Sequence, residues 1–148
     1  MSESTRSNQP RKILVVDDES HITQVVSLKL SNAGYAVVTA GDGEEGFEIA
    51  CQEKPDLVIT DLQMPYMSGI ELAKKLRRNP ATASTPVLML TARGYALDQS
   101  ELGQTNIKGV MSKPFSPREV LERSRAALGE TAPSTNASNP ESPEAKAA

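Results

Sequence analysis

Short apolar runs alternate along this chain with longer segments in which apolar residues recur at helical spacing. Runs typical of strands lie at 12–16, 36–40, 56–60, 86–90 and 107–111. Segments typical of helices lie at 20–33, 43–53, 69–79, 96–104 and 117–128. Five such units in succession predict an α/β fold, in which helices cover both faces of a doubly wound, five-stranded parallel sheet.

The runs differ in ways that indicate their places in the fold. The first, third and fourth runs are continuously apolar, as strands buried on both faces are, and the second is expected nearer an edge of the sheet. The helix at 20–33 has a clear apolar stripe that includes Val26 and Leu30, with Gly34 as its stop. Because the segment 96–104 has a thin stripe and an internal Gly103, we expect a short or mobile helix there.

The two ends of the chain differ from its middle in composition. Residues 1–10 and 129–148 are rich in polar residues, Pro and Ala, and they contain no Val, Ile, Leu or aromatic residue. Segments of this kind cannot bury enough apolar surface to fold. The sequence therefore predicts one folded domain at 11–128 between a disordered N-terminal tail and a disordered C-terminal tail.

The charge of the chain argues against two classes of partner. The net charge is -3, and the tails carry most of it, so the predicted domain is close to neutral. A near-neutral domain lacks the basic surface that nucleic acid or an anionic membrane attracts, and we expect neither as a partner. The basic residues at 74–78 are not interleaved with aromatic residues, which is typical of the solvated face of an amphipathic helix.

Other features bear on location and metal content. No apolar stretch approaches the roughly 20 residues of a membrane span, and the first residues lack the apolar core of a signal peptide. We therefore expect a cytoplasmic protein. The chain has one cysteine, Cys51, and one histidine, His21, which argues against a zinc site.

Polar residues stand where the predicted strands end. Asp17 and Asp18 follow the first run, Asp61 the third, Thr91 the fourth and Lys113 the fifth. Right-handed crossovers bring the carboxyl ends of all parallel strands to one edge of the sheet, where open sheets of this type bind ligands. The sequence thus predicts that three carboxylates, a hydroxyl and an ammonium converge there.

This set of groups suits a divalent cation and a phosphoryl group. Three adjacent carboxylates repel one another, and Mg²⁺, which prefers oxygen ligands, removes the repulsion. The carboxylate of Asp61 could attack phosphorus and form an aspartyl phosphate. Lys113 and the Thr91 hydroxyl could hold the equatorial oxygens, since phosphoryl transfer depends mainly on positioning and charge neutralisation.

The order and spacing of these residues resemble the response-regulator receiver domains of bacterial two-component signalling, the CheY-like family. The resemblance covers residues 11–128, and it includes the fragments DDE at 17–19, DLQMPYMSG at 61–69 and KPF at 113–115. It implies a flavodoxin-like (βα)5 fold with strand order 2-1-3-4-5. Each fragment is common by chance, but all of them in order at strand ends are specific to the family.

The resemblance also implies a role for each site residue. Asp61 corresponds to the phosphoacceptor, and Thr91 and Lys113 correspond to the groups that contact the phosphoryl oxygens. The implied magnesium ligands are Asp61, Asp18, Asp17 largely through water, and the backbone carbonyl of Gln63. A cis peptide bond is implied before Pro114, and Gln63 and Arg93 stand where receivers tune the lifetime of the phosphoryl group.

One position departs from the family pattern. Receivers usually carry Tyr or Phe three residues before the lysine, as the switch residue that couples to the hydroxyl, and here that residue is Val110. A β-branched aliphatic side chain cannot present a large ring. Tyr95 offers a substitute ring or is an ordinary loop tyrosine.

The residues leave four interpretations. The acidic pair alone could be a helix-capping cluster, but that does not explain Asp61, Thr91 and Lys113. The leading hypothesis is a single-domain adaptor that is phosphorylated by a sensor histidine kinase or a histidine phosphotransfer protein. It would signal by docking onto an unknown downstream protein. It would not be an enzyme, except in its own phosphorylation and dephosphorylation. A second is a receiver that works without phosphorylation, as Val110 suggests. A third, an enzyme that hydrolyses phosphate esters, would need an acid/base carboxylate near Asp61, where Gln63 provides only an amide.

Overall fold

The structure of the protein is a computed structural model that describes residues 10–92 and 98–130. Its strands are β1 (Lys12–Val16), β2 (Ala36–Ala40), β3 (Leu57–Asp61), β4 (Val87–Thr91) and β5 (Ile107–Ser112). Its helices are α1 (Ser20–Asn32), α2 (Gly43–Glu53), α3 (Gly69–Arg78), α4 (Gln99–Gly103) and α5 (Pro117–Ala127). The strands pair in parallel in the order β2-β1-β3-β4-β5, which confirms the predicted flavodoxin-like sheet.

Both faces of the sheet are covered, so the core has two halves. Side chains alternate along each strand: in β1, Leu14 and Val16 face one half and Ile13 and Val15 the other, and all four are fully buried. Helices α2 and α3 cover the first half, and α1 and α5 cover the second. Their buried residues include Ala50, Leu72 and Leu76 on one side and Val26, Leu30 and Val120 on the other.

Strands β3 and β4 each end one residue later than the sequence predicts. Asp61 lies opposite Leu90, and Thr91 lies opposite Ser112, so both polar residues still belong to the ladder. Every residue of β3 and β4 is buried, whereas β2, at an edge of the sheet, is mostly half-buried, as expected. The acceptor candidate and the hydroxyl are therefore fixed by strand pairing.

Strand β5 contains an irregularity that the sequence pattern does not reveal. Val87 pairs with Ile107, but Leu88 pairs with Gly109, which makes the exposed Lys108 an extra residue in the ladder. This bulge explains how Ile107 and Val110, three positions apart, both pack on the α2/α3 half of the core.

The helix ends carry local signals that define them, and one of these was predicted. Gly34 has φ +102 just after α1, which is the left-handed conformation expected at a helix stop. Ser68 caps α3 and forms a reciprocal capping box with Glu71. Helix α4 is short, as expected, with none of its five residues buried; the residues at 96–97 of the predicted helix lie outside the described residues.

The two ends of the described chain meet at the amino end of the strands. Tyr35 donates a hydrogen bond of 2.6 Å from its hydroxyl to Glu130, and Arg11 lies 3.4 Å from the same carboxylate while also donating to the Leu128 carbonyl. Burial, followed by the hydrogen bond and the charge of Glu130, raises the pKa of Tyr35 to about 12. Of the predicted disordered tails at 1–10 and 129–148, residues 10, 129 and 130 are described, with Glu130 bonded to Tyr35 and Arg11; residues 1–9 and 131–148 lie outside the described residues, and their disorder stays a prediction.

Among the described residues, none of the helices is both long and apolar enough to span a bilayer.

Candidate functional site

The polar residues predicted to converge do so at the carboxyl edge of the sheet. Asp17 is 1% exposed, Asp61 5% and Thr91 1%, while Asp18 is exposed and Lys113 half-buried. Position in the strands causes the burial: the backbone N–H of Asp17 donates to the Ala40 carbonyl, so β1 keeps pairing with β2 one residue past its end. Asp18 then turns out of the sheet toward solvent, beside the start of α1.

Lys113 connects the carboxylates of two strands. Its Nζ lies 3.1 Å from Asp61 Oδ1, 3.6 Å from Asp17 Oδ2 and 3.5 Å from Glu19 Oε1. The backbone holds it in place, because the Lys113 N–H donates to the Thr91 carbonyl at 2.7 Å. The peptide bond before Pro114 is cis, as the family resemblance implies.

The site holds several carboxylates close together, and the positive charge of Lys113 neutralises them only in part. Burial, together with the charge of Asp61, raises the pKa of Asp17 to about 6, although the Glu19 backbone N–H acts against the rise. Burial also raises the pKa of Asp61, and the hydrogen bond from Lys113 opposes this. Burial lowers the pKa of Lys113, but Asp61 and Asp17 outweigh it, so the net direction is upward. Additional positive charge would stabilise the ionised carboxylates of this site.

The residues present fit a divalent cation. Asp17, Asp18 and Asp61 can each contribute one carboxylate oxygen, and these oxygens lie within 4.8 Å of one another. Two buried oxygens, Asp17 Oδ2 and Thr91 Oγ1, have no hydrogen-bond partner among the described residues. Buried polar atoms are normally paired, so an additional ligand or ion is expected beside them. Hard oxygen donors of this kind suit Mg²⁺.

A cavity of about 680 Å³ opens above these groups. Asp18, Asp61 and Lys113 form its polar part, and Gln63 contributes to the wall. The opposite wall is apolar and consists of residues from α1 and from the start of α5: Ile22, Val25, Val26, Pro114, Phe115 and Pro117. The acceptor carboxylate can therefore be approached from solvent past an apolar surface.

The loop after Asp61 is held tightly against the site. Gly69 begins α3 where a Cβ atom would lie 2.4 Å from the Asp61 carbonyl oxygen and 2.7 Å from Met89 Sδ, so no side chain fits. The Gly69 N–H donates to the Leu62 carbonyl, which closes the loop on itself. Close packing of α3 under Asp61 fixes the acceptor, and it gives the sequence motif around Gly69 a physical reason.

Four residues named from the sequence have different outcomes. Val110 is half-buried and packs against the α2/α3 half of the core, and Gln63 is exposed at the rim of the cavity. Arg93, predicted to tune phosphoryl lifetime, lies outside the described residues, as does Tyr95.

Glu19 is a site residue that the sequence analysis did not single out. Its backbone N–H donates to Asp17 Oδ1 at 2.9 Å and its carboxylate forms an ion pair with Lys113. Asp17 thus fixes the turn that leads into α1 and also faces the site, and among the described residues no side-chain hydrogen bond caps the first turn of the helix. The third acidic residue in the run DDE was the available signal.

Comparisons with known proteins agree with this geometry. Residues 13–125 match the family model described as the response regulator receiver domain. The alkaline phosphatase synthesis transcriptional regulatory protein PhoP of Bacillus subtilis is 42% identical over 134 residues, which are 88% of this chain and 55% of that protein. The chain spans about half the length of the curated relatives it matches.

Solved structures extend the likeness to three dimensions. The chemotaxis response regulator CheY4 of Vibrio cholerae is 36% identical, with a TM-score of 0.74 over 80% of this chain and 99% of that one. The receiver domain of the sensor histidine kinase PA1611 from Pseudomonas aeruginosa, solved with a magnesium ion in its active-site cleft, shares the fold at 23% identity, with a TM-score of 0.72 over 82% of this chain and 99% of that one. The chain therefore belongs to the response regulator receiver domain family of two-component signalling.

Proposed function

We propose that this receiver accepts a phosphoryl group on Asp61 from a phosphohistidine of a sensor kinase or a histidine phosphotransfer protein. The observation that carries the proposal is the position of Lys113, with its Nζ 3.1 Å from Asp61 Oδ1 amid a cluster of three carboxylates. This pairs a buried nucleophile with a cation that can compensate the charge of an incoming phosphoryl group.

The transfer is a substitution at phosphorus. A carboxylate oxygen of Asp61 forms a bond to phosphorus while the phosphorus–nitrogen bond of the phosphohistidine breaks, and the imidazole leaves with the electron pair and takes up a proton. Lys113 and the Thr91 hydroxyl, whose oxygen has no partner among the described residues, then stabilise the phosphoryl oxygens. Asp17, Asp18, Asp61 and the Gln63 carbonyl would hold Mg²⁺, which supplies charge neutralisation at the phosphoryl oxygens.

The phosphoryl group is lost by hydrolysis. A water oxygen bonds to phosphorus, the bond from phosphorus to the Asp61 oxygen breaks, and the carboxylate is regenerated as inorganic phosphate leaves. Gln63, at the rim of the cavity, and Arg93 are the proposed tuning residues. The protein acts on no other substrate in this proposal, so it is an enzyme only toward its own phosphorylation and dephosphorylation.

Signalling in this proposal occurs by docking of a single-domain regulator onto a downstream protein. The near-neutral charge of residues 11–128 supports a protein partner over nucleic acid or membrane. The transcriptional role named for the B. subtilis relative belongs to a protein almost twice as long as the matched region. The cytoplasm is the proposed location.

A second candidate function rests on Val110. The side chain is aliphatic and packs in the core, so it cannot act as a rotating aromatic switch. In this alternative the receiver binds its partner whether or not Asp61 is phosphorylated.

One experiment tests both proposals. The protein is incubated with acetyl phosphate and Mg²⁺, and intact mass is measured for the wild type and for Asp61→Asn. The proposal expects a labile phosphate adduct that is absent in Asp61→Asn, together with altered amide exchange at residues 98–128. An adduct without any exchange change supports phosphorylation without the usual switch. Lack of an adduct from acetyl phosphate and from phosphohistidine donors would overturn the first proposal.

A further inference from the structure

Tyr66 is the most exposed large hydrophobic side chain among the described residues, at 102% of the reference area. Its backbone has φ +71, and the Met67 N–H donates to the Pro65 carbonyl at 2.8 Å, which closes a three-residue γ-turn with Tyr66 at its centre. This positive-φ γ-turn is rare and strained, and a bulky residue is unusual there. The turn at Tyr66 therefore costs free energy, and burial of the ring does not offset this cost.

The neighbours of Tyr66 hold it firmly in this position. Met67 packs on the first turn of α2, where a Cβ atom on Gly43 would lie 2.9 Å from Met67 Cβ. Ser68 follows immediately and caps α3 through the box with Glu71. The aromatic ring is therefore presented on an ordered loop, and less conformational entropy is lost when a partner contacts it than with a flexible loop.

A cavity of about 270 Å³ lies beside the ring, and its lining is acidic and aromatic. Pro65, Tyr66 and Met67 form one wall, and Asp42, Gly43 and Glu44 form the other. Asp42 already accepts a hydrogen bond from the Glu45 N–H at 2.8 Å, but Glu44 is exposed and its carboxylate has no hydrogen bond or ion pair with any described residue. An exposed carboxylate residue and an exposed aromatic residue thus line the same small cavity.

We propose that Tyr66 and Glu44 form a docking site for an arginine side chain of a partner protein. A guanidinium group stacks on an aromatic face and pairs with a carboxylate, and both kinds of group line this cavity. Charge complementarity favours a cation over an anion or an apolar side chain. The site adds a contact to the signalling complexes of the receiver and does not depend on phosphorylation of Asp61.

The test is a titration of the ¹⁵N-labelled full chain with acetyl-Gly-Arg-Gly-amide, followed by NMR. We expect saturable shift changes at the Glu44 and Met67 amides, and at least fivefold weaker binding of the matched citrulline peptide, which is neutral. Tyr66→Leu and Glu44→Gln should each weaken binding of the arginine peptide at least threefold. Tyr66→Phe, which keeps the ring, and Glu48→Gln, an exposed position on the same helix, should bind as the wild type does.

Other results would overturn the proposal. These are no saturable shifts up to 20 mM peptide, equal binding of the citrulline peptide, or an equal effect of Glu44→Gln and Glu48→Gln. Adduct formation with acetyl phosphate, measured on the same variants, is expected to persist in all of them. If the wild type formed no adduct, the proposed phosphorylation would fail while the peptide titration still tested docking, so the two proposals fail separately.

Discussion

Helices α3 and α4 follow the adjacent strands β3 and β4, yet they are attached to the molecule very differently. Five of the ten residues of α3 are buried, and a capping box fixes its start. Helix α4 has five residues, none of them buried. The first helix packs beneath the loop that follows Asp61, whereas the second follows Thr91 and the residues outside the described part.

The difference suggests that the phosphoacceptor site and the conformational response lie on different parts of the molecule. Elements with few buried contacts open locally at low free energy, and segments that move are drawn from them. Asp61 is held by a buried strand and a tightly packed helix, so the acceptor is rigid. Any response to phosphorylation is then expected on the α4 and β5 side, where the strand bulges at Lys108 and Val110 replaces the aromatic residue.

The largest expected effect contrasts a leucine from each helix. Leu76 in α3 is 1% exposed, so Leu76→Ala should lower the free energy of unfolding by about 3 kcal/mol through lost burial and a cavity. Leu102 in α4 is only half-buried, and Leu102→Ala should cost about 1 kcal/mol or less. Urea unfolding measures both. Equal losses would show that α4 is packed as firmly as α3.

A glycine from each helix gives the next contrast. Gly69→Ala should destabilise the protein by about 2 kcal/mol, because the Cβ atom meets backbone and Met89. Gly103→Ala meets nothing within 4 Å and should be neutral or stabilise by up to about 1 kcal/mol. Thermal unfolding and the acetyl phosphate adduct should be measured together, since Gly69→Ala should also slow adduct formation. A neutral Gly69→Ala would contradict the tight packing beneath Asp61.

A smaller effect concerns pH and Mg²⁺ at the rigid side. The pKa of Asp17 is raised to about 6 in the folded protein from 3.8. Between about pH 4 and 6 the folded state keeps a proton that the unfolded state has lost, so stability falls as pH rises through this window. Across this window the free energy of unfolding should fall by on the order of 1 to 2 kcal/mol.

Mg²⁺ should reverse this loss, since it binds the ionised carboxylates. Thermal unfolding at pH 5 and 7.5, with and without Mg²⁺, measures the effect for the wild type and for Asp17→Asn. Stabilisation by Mg²⁺ should be larger at pH 7.5, and Asp17→Asn should lose most of it. Equal stabilisation at both pH values would argue against metal binding at these carboxylates.

The smallest effect concerns the loop that leads into α3. Tyr66→Gly removes the strain of φ +71 but adds flexibility to the unfolded chain, so a net gain of about 0.5 kcal/mol is expected. Lys54→Gly, at the left-handed end of α2 with φ 49, is the matched control and should shift stability in the same direction. A loss in Tyr66→Gly alone would indicate that the ring stabilises the folded loop.

Hydrophobic periodicity predicted the sheet well because buried parallel strands leave continuous apolar runs. It missed the final residues of β3 and β4, since Asp61 and Thr91 are polar yet keep their backbone pairing. It also missed the bulge in β5, where Lys108 and Gly109 carry no apolar signal. The short α4 was predicted, because a thin apolar stripe cannot hold a long helix on the sheet.

The site was predicted to a similar extent. Topology alone brings Asp17, Asp18 and Asp61 together, and strand ends place Lys113 beside them. Glu19 was missed, because its ion pair depends on how α1 begins. The γ-turn at Tyr66 was also missed, since a tyrosine gives no sign of positive φ.

The contacts of Glu130 with Arg11 and Tyr35 determine where this domain can be joined to other domains. The chain enters and leaves the described unit at one place, because Arg11 and Glu130 are paired there. The carboxylates lie at the other end of strands that rise about 3.3 Å per residue, roughly 16 Å away. A neighbour fused to either side, or a host chain into which the unit is inserted, would therefore be attached at the end of the strands opposite the opening above Asp61.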